Sequence, residues 1–137
     1  MFFSFILNFK KFKSYYIINK LLWAPQRKGL VLNVVIKTPK KPNSALRHIA
    51  RINIYKNKKL ILGRIPGFGS VPSKYNRVLI RGGRANDLPM VRLTLIRGVY
   101  DFSSLPMKKK RRSIYGTLRP ENYTKHIRRR FRHLFTN

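Results

Sequence analysis

Short runs of alternating or continuously apolar residues occupy the middle of the chain and predict β-strands. In the clearest run, RHIARINIY, apolar residues recur at every second position, so that Ala50, Ile52 and Ile54 share one face. Comparable runs occur at residues 29–37, 60–65, 76–81 and 90–98. Glycine- and proline-rich turns separate the runs, and no long helical pattern interrupts them. We therefore predict an all-β fold, a small five-stranded OB-type barrel.

The same patterns predict which side chains face the core. In the last run, MVRLTLIRG, the apolar residues Val91, Leu93 and Leu95 are expected inside the barrel and Thr94 outside it. The outward strand faces are otherwise rich in arginine, and Tyr55 is the lone aromatic residue on a strand. The outer surface of the barrel is thus expected to be cationic.

Two further segments flank the predicted barrel, which we place at residues 25–100. Residues 1–24 form an aromatic, lysine-studded extension, predicted as an amphipathic helical or extended arm that Pro25 ends. Its apolar runs fall short of the roughly 20 residues of a membrane span, and a targeting role is the alternative to packing on a neighbour. Residues 101–137 form a basic tail, whose runs KKKRR and RRRFR would be flexible unless bound to phosphates.

Charge narrows the choice of partner. The chain of 137 residues has 32 Lys and Arg against three Asp and Glu, a formal net charge of +29. A free globule of that charge repels itself, so a dense polyanion is the expected partner. RNA or DNA is the first candidate, and an anionic membrane is the second.

The chain offers little for catalysis or metal binding. It has no cysteine, and its three histidines and three acids are scattered without a metal-ligand spacing. General acid–base chemistry would therefore have few groups to use. We expect no enzymatic activity, no catalytic residue, no metal and no cofactor.

The stretch TPKKPNSALR, residues 38–47, is called the proline loop here. Its two prolines restrict the backbone and predict a stiff loop. Its lysines could bind phosphates, and its short polar side chains could bind a ribose hydroxyl or a base edge. An ordinary turn between two strands explains the same residues equally well.

Two more stretches stand apart from the general basicity. The aspartate loop, RGGRANDLP at residues 81–89, contains one of the three acids, Asp87. From the residues alone, an internal ion pair or a turn is the favoured interpretation of Asp87. In RSIYGTLRP, residues 112–120, Tyr115 could stack on a base between flanking arginines, although such a pattern is weakly specific.

These stretches, with APQRKG, IPGFG, VLIRGGRANDLPMVR and IRGVYD, occur in an order and spacing that resemble the small-subunit ribosomal protein S-twelve family. The resemblance covers residues 25–120. It implies an OB-type barrel that binds ribosomal RNA at the decoding centre and helps control the accuracy of codon–anticodon recognition. The implied partners are small-subunit ribosomal RNA, neighbouring ribosomal proteins and, transiently, mRNA and tRNA, with no membrane.

The resemblance also implies which residues contact RNA. In the proline loop they are Lys40, Lys41, Pro42, Asn43 and Ser44. In the aspartate loop they are Arg81, Gly82, Gly83, Arg84, Asp87, Leu88 and Pro89. Further ribosomal RNA contacts are expected at Arg27, Lys28, Arg47, Lys108, Lys109, Lys110, Arg111, Arg112, Tyr115 and Arg119.

Departures from the family pattern indicate the kind of ribosome. Asn86 stands where the family usually has lysine, Met90 where it has glycine, and Phe68 where it has an acid. The over-use of Phe, Tyr, Ile, Asn and Lys also indicates an AT-rich genome. Together these features favour a mitochondrial member that is ribosome-bound in the matrix and organelle-encoded.

Two other classes of protein remain as alternatives. A free single-strand binder on an OB barrel would need an exposed aromatic stacking platform, and the strand pattern shows only Tyr55. A membrane-surface peptide built on the N-terminal segment would leave the barrel loops unexplained.

Overall fold

The computed structural model describes residues 21, 24–56 and 58–121. The predicted N-terminal arm lies outside these residues except at positions 21 and 24, and the RRRFR run lies entirely outside them. Within them, the chain forms five strands, β1 Gln26–Lys37, β2 Arg47–Ile54, β3 Leu60–Arg64, β4 Arg77–Gly82 and β5 Leu93–Ile96. One short helix, α1, covers Arg112–Tyr115.

The five strands close into a barrel in the order β1-β2-β3-β5-β4. Strands β3 and β5 pair in parallel, and the other neighbours pair antiparallel. Closure leaves no open sheet edge, which is the usual advantage of a barrel. The predicted all-β fold with a five-stranded OB-type barrel is confirmed.

The long strand β1 is what allows the barrel to close. Its first part pairs with β4, from Gln26 opposite Arg81 to Leu30 opposite Arg77. Its remainder continues along β2 as far as Lys37 opposite Arg47. The register with β2 shifts once, between Val31 and Asn33, and such a bulge bends a strand and increases its twist.

The barrel core contains the side chains that alternation predicts. Ala50, Ile52 and Ile54 are buried together on β2, in one cluster with residues of the other strands. Thr94 differs from expectation, because it is only 7% exposed rather than outward-facing. Its hydroxyl donates a hydrogen bond of 3.0 Å to the carbonyl of Gly83, which satisfies the buried polar group.

The core extends past the last strand through Phe102, which is 1% exposed and belongs to the main cluster. Arg97 lies against it, with the guanidinium carbon 4.3 Å from the centre of the Phe102 ring. Arg97 is itself 2% exposed, and burial lowers the pKa of its guanidinium below the ordinary value.

Arg97 is stabilised by oxygen atoms rather than by an acid. Its guanidinium donates hydrogen bonds to the carbonyl oxygens of Pro66, Ser70 and Ser103 and to the Ser70 hydroxyl. These bonds join the loop after β3 to the segment after Phe102. One buried arginine thus holds two irregular segments against the barrel.

The segment around α1 approaches the same place through glycine. Gly116 has φ +66, and a Cβ atom there would come within 2.7 Å of the carbonyl oxygen of Arg97. Leu105 donates its N–H to the carbonyl of Tyr115 over 3.0 Å. The Thr117 hydroxyl donates to the carbonyl of Leu105. These two hydrogen bonds and the close approach of Gly116 to Arg97 therefore hold residues 115–117 of RSIYGTLRP against the rest of the fold.

We expect Arg97→Ala to lower the free energy of unfolding by about 3 kcal/mol, because buried carbonyl oxygens lose their donors. Chemical denaturation of the full-length protein measures this loss. Arg64→Ala, at an exposed position on β3, is the matched control and should cost about 0.5 kcal/mol or less. Equal losses in the two variants would contradict the role given to Arg97.

Candidate nucleic-acid interface

The proline loop presents its tip to solvent. Residues 40–46 are all exposed, whereas Pro39 is buried at the base of the loop. The N–H of Asn43 donates to the carbonyl of Lys40 over 3.0 Å and closes a turn around Lys41 and Pro42. The basic and short polar side chains therefore project from a closed turn.

The aspartate loop is anchored on the outside of the barrel. Leu88, which is 2% exposed, packs with Ile49, Ala85 and Val91 in a second buried cluster, and Leu62 of β3 contacts the same cluster. Ile49 departs from the alternation of β2, being buried at a position that would otherwise face outward. Leu88 therefore serves this loop as an apolar anchor.

Three contacts join the proline loop to the aspartate loop. The N–H of Lys40 donates to the carbonyl oxygen of Asp87 over 2.8 Å. The guanidinium of Arg47 is 3.0 Å from the Asp87 carboxylate. The ammonium of Lys37 donates to the carbonyl of Pro89 over 3.3 Å. The internal ion pair favoured for Asp87 is confirmed, and the two loops form one surface, called the loop pair below.

The loop pair is strongly cationic. Lys40, Lys41, Arg81 and Arg84 are exposed on it, and Asn43 and Ser44 are exposed beside the lysines. Asp87 is the only acid in the two loops. Because its carboxylate is paired with Arg47, the exposed cations on the surface have little internal neutralisation.

The other predicted RNA contacts lie on other elements. Arg27 donates to the carbonyl of Leu21 over 3.1 Å. Lys28 lies over the ring of Tyr100, and Lys108 lies 6.0 Å from the ring centre of Tyr115. The remaining members of this set follow the barrel near α1, where residues 108–111 and 119 are exposed and Arg112 is half-buried.

A second surface feature was not predicted as a unit. Lys28, Tyr55, Arg77 and Tyr100 line a groove across the outside of β1, at the end of β2 and the start of β4. The sequence predicts Tyr55 as an outward aromatic residue on a strand, and the structure places it directly after β2. Tyr100 gave no periodic pattern, because it belongs to a tight turn after β5. Only the folded chain brings the two tyrosines to one groove.

Metal binding and membrane spanning find no support in the described part of the chain. No group of three or more His, Asp or Glu side chains there is arranged to hold a metal ion. No helix among the described residues is long and apolar enough to cross a bilayer.

The closed barrel and its cationic loops define the class of protein, a small OB-type β-barrel with a basic binding surface. A family model described as Ribosomal protein S12/S23 matches residues 16–119. The chain belongs to this ribosomal protein family, which confirms the resemblance seen in the sequence, and such a protein is not an enzyme.

Individual relatives are similar over most of their length. The small ribosomal subunit protein uS12m of Paramecium tetraurelia is 50% identical over 115 residues, which cover 84% of this chain and 82% of the relative. The uS12c protein of Toxoplasma gondii is 50% identical over 79% of this chain and 85% of its own. The uS12c protein of Eimeria tenella is 43% identical over 82% and 92%.

We expect Asp87→Asn to loosen the proline loop without unfolding the barrel. The Arg47 ion pair is partly exposed and contributes about 1 kcal/mol or less, so exchange of the Lys40 amide hydrogen should accelerate by up to about fivefold. Hydrogen exchange of the full-length protein measures this rate.

Asp101→Asn is the matched control for this prediction, since Asp101 also pairs with an arginine, Arg77. It should leave the Lys40 amide unchanged. Equal acceleration in both variants would show that the loop pair is not held by Asp87 in particular.

We expect Met90→Gly to stabilise the protein. Met90 has φ +68 directly after the aspartate loop, a left-handed conformation that glycine adopts without the Cβ penalty. After the entropic cost of glycine, the free energy of unfolding should rise by up to about 1 kcal/mol. Met107→Gly, at a similarly exposed methionine without positive φ, should not raise it. Thermal unfolding compares the two variants, and stabilisation by both would contradict this explanation.

Proposed function

We propose that the protein is a structural component of the small subunit of a mitochondrial ribosome, where it binds ribosomal RNA at the decoding centre. Family membership and the names of the relatives support the small subunit. The net charge of +29 supports RNA as the main ligand. In this role the protein acts by rigid positioning and performs no chemistry of its own.

One observation carries this proposal. The tip of the proline loop is exposed, whereas its base is held in place by contacts with the aspartate loop. The side chains of Lys40, Lys41, Asn43 and Ser44 are exposed, while the Lys40 backbone is bonded to Asp87. A flexible lysine loop would bind any phosphate, whereas a tip held in place can bind one RNA conformation better than another. The proline loop therefore stabilises the closed, cognate arrangement of the decoding RNA and thereby influences accuracy.

The other predicted residues divide by role. In the loop pair, Arg81, Arg84 and the backbone at Gly82, Gly83 and Pro89 bind RNA, whereas Leu88 and the Arg47–Asp87 pair act mainly within the protein. Arg27, Lys28, residues 108–112, Tyr115 and Arg119 supply further ribosomal RNA contacts on other faces. Neighbouring ribosomal proteins are lasting partners, and mRNA and tRNA are transient ones.

The proposed location follows from the relatives and from the codon bias. The relatives carry the printed names uS12m and uS12c. The over-use of residues with AT-rich codons supports an organelle-encoded gene, and the departures at Phe68, Asn86 and Met90 favour a mitochondrial ribosome.

We expect Lys41→Ala to lower misreading by about fivefold or less while subunit assembly stays near normal, because one charged contact to the closed RNA is lost. Translation by purified ribosomes that carry the variant gives the ratio of near-cognate to cognate incorporation. Incorporation at near-cognate codons should be more sensitive to this change than incorporation at cognate codons, because the closed state of the decoding RNA is less stable on a near-cognate codon.

Lys59→Ala is the matched control, because Lys59 is also exposed but lies between β2 and β3, away from the loop pair. It should change neither accuracy nor assembly. If Lys41→Ala reduced assembly and accuracy together, the proline loop would be a plain structural turn.

A further inference from the structure

The groove on the outside of β1 combines two aromatic rings with two cations. Tyr55 and Tyr100 are 55% and 46% exposed, so both rings are accessible in the folded chain. The ammonium of Lys28 lies 5.1 Å from the centre of the Tyr100 ring. Arg77, whose side chain is 66% exposed, completes the lining. The volume of about 300 Å³ is on the scale of small-ligand sites.

Tyr100 is held in an unfavourable backbone conformation. Its φ of +54 is left-handed, which costs a bulky residue roughly 1–2 kcal/mol. The turn persists because Gly98 donates to the carbonyl of Phe102 over 2.8 Å, and Phe102 lies in the core. Strain of this kind concentrates at functional sites, where the surrounding structure determines the position of one side chain.

Asp101 holds the same turn to β4. Its carboxylate accepts the N–H of Arg77 over 2.8 Å and lies 3.5 Å from the Arg77 guanidinium. Its own N–H donates to the carbonyl of Arg77 over 3.2 Å. One acid therefore fixes both Tyr100 and Arg77, so specific contacts determine the position of this wall of the groove. Lys28 opposite that wall has no acidic partner in the described part of the chain.

We propose that this groove binds an unpaired nucleotide of the small-subunit RNA, with the base against a tyrosine ring and the phosphate at Lys28 and Arg77. Half-exposed aromatic rings beside cations are the arrangement by which proteins hold single-stranded bases and their backbone. An acidic peptide would use the cations but would leave both rings without a stacking partner. This proposal rests on ribosomal RNA as the ligand, but not on the decoding role of the loop pair.

The groove is a separate site from the loop pair. The loop pair adjoins Arg47 at the start of β2, and Tyr55 follows Ile54 at its end. Tyr55 is therefore eight residues beyond Arg47 along β2, or roughly 26 Å at about 3.3 Å a residue. On β4 the two surfaces come closer, because Arg77 of the groove and Arg81 of the aspartate loop are four residues apart, or roughly 13 Å. One nucleotide stacked on Tyr55 or Tyr100 therefore cannot also reach the tip of the proline loop, so the groove and the tip contact different nucleotides.

The test compares two RNA probes with equal phosphate number, a short uridine oligonucleotide and its abasic counterpart. The full-length protein should prefer the uridine oligonucleotide by about tenfold, since stacking adds to charge. In Tyr100→Asn, most of this preference should be lost. Asparagine tolerates positive φ, so this change removes the ring with little added strain. Tyr100→Phe should keep the preference.

Tyr75→Asn is the matched control. Tyr75 also has positive φ, at +68, is 61% exposed and lies beside a lysine, with Lys74 at 4.9 Å from its ring centre. It lies outside the groove and should leave the preference for uridine unchanged. The proposal is overturned if the wild-type protein shows no preference, if Tyr100→Asn keeps it, or if Tyr75→Asn loses it equally.

Ultraviolet cross-linking of purified small subunits tests the same site in its assembly. A nucleotide adduct on the peptide that contains Tyr55 or Tyr100 is expected. A cross-link from these tyrosines to another protein, or to residues 1–20 of this chain, would overturn the proposal. Neither result depends on misreading, so failure here is distinguishable from failure of the decoding role.

Discussion

Two carboxylates determine where the cationic loops of this barrel lie. The chain has only three acids among 35 charged Lys, Arg, Asp and Glu residues, since Lys and Arg number 32 and Asp and Glu three. Asp87 pairs with Arg47 at the start of β2, and Asp101 pairs with Arg77 at the start of β4. Each acid also bonds to backbone through its own peptide group or carboxylate. The acids thus orient loops without neutralising the surface, and the remaining charge is left for a polyanion.

The buried cation Arg97 is likewise held in place without neutralisation of its charge. Among the described residues, Arg97 forms no ion pair with a carboxylate and is stabilised by carbonyl oxygens and a hydroxyl, which accept its hydrogen bonds while leaving it positive. The Phe102 ring, with its centre 4.3 Å from the guanidinium carbon, adds a cation–π contact. An acid at this place would have neutralised the charge, but it would also have required desolvation of a second ion. Carbonyl oxygens from irregular segments avoid that cost, and their bonds to Arg97 order those segments.

Most of the barrel could be predicted from periodicity, because the core residues of β2 and β5 recur at every second position. The exceptions have one physical origin, which is long-range contact. Ile49 is buried because the aspartate loop covers it, and Thr94 is buried because Gly83 accepts its hydroxyl. Loop residues could be recognised by type, but their roles could not: Leu88 anchors the loop, and Tyr100 reaches the groove only through its turn. No local pattern contains such information, since the partners are distant in sequence.

A barrel with one binding loop could still rotate about its contact with RNA. In the proposed arrangement, a rigid strand separates two contacts, the loop pair beside Arg47 and the groove beside Tyr55. Two separated contacts on a closed barrel remove rotations that one contact leaves free, and the strand transmits little internal motion because its core side chains are fully buried. The proposed role of the proline loop in accuracy requires an orientation defined to a fraction of the length of a side chain. In this proposal, the groove contributes to decoding without touching the decoding RNA, because it fixes the orientation of the proline loop that contacts that RNA.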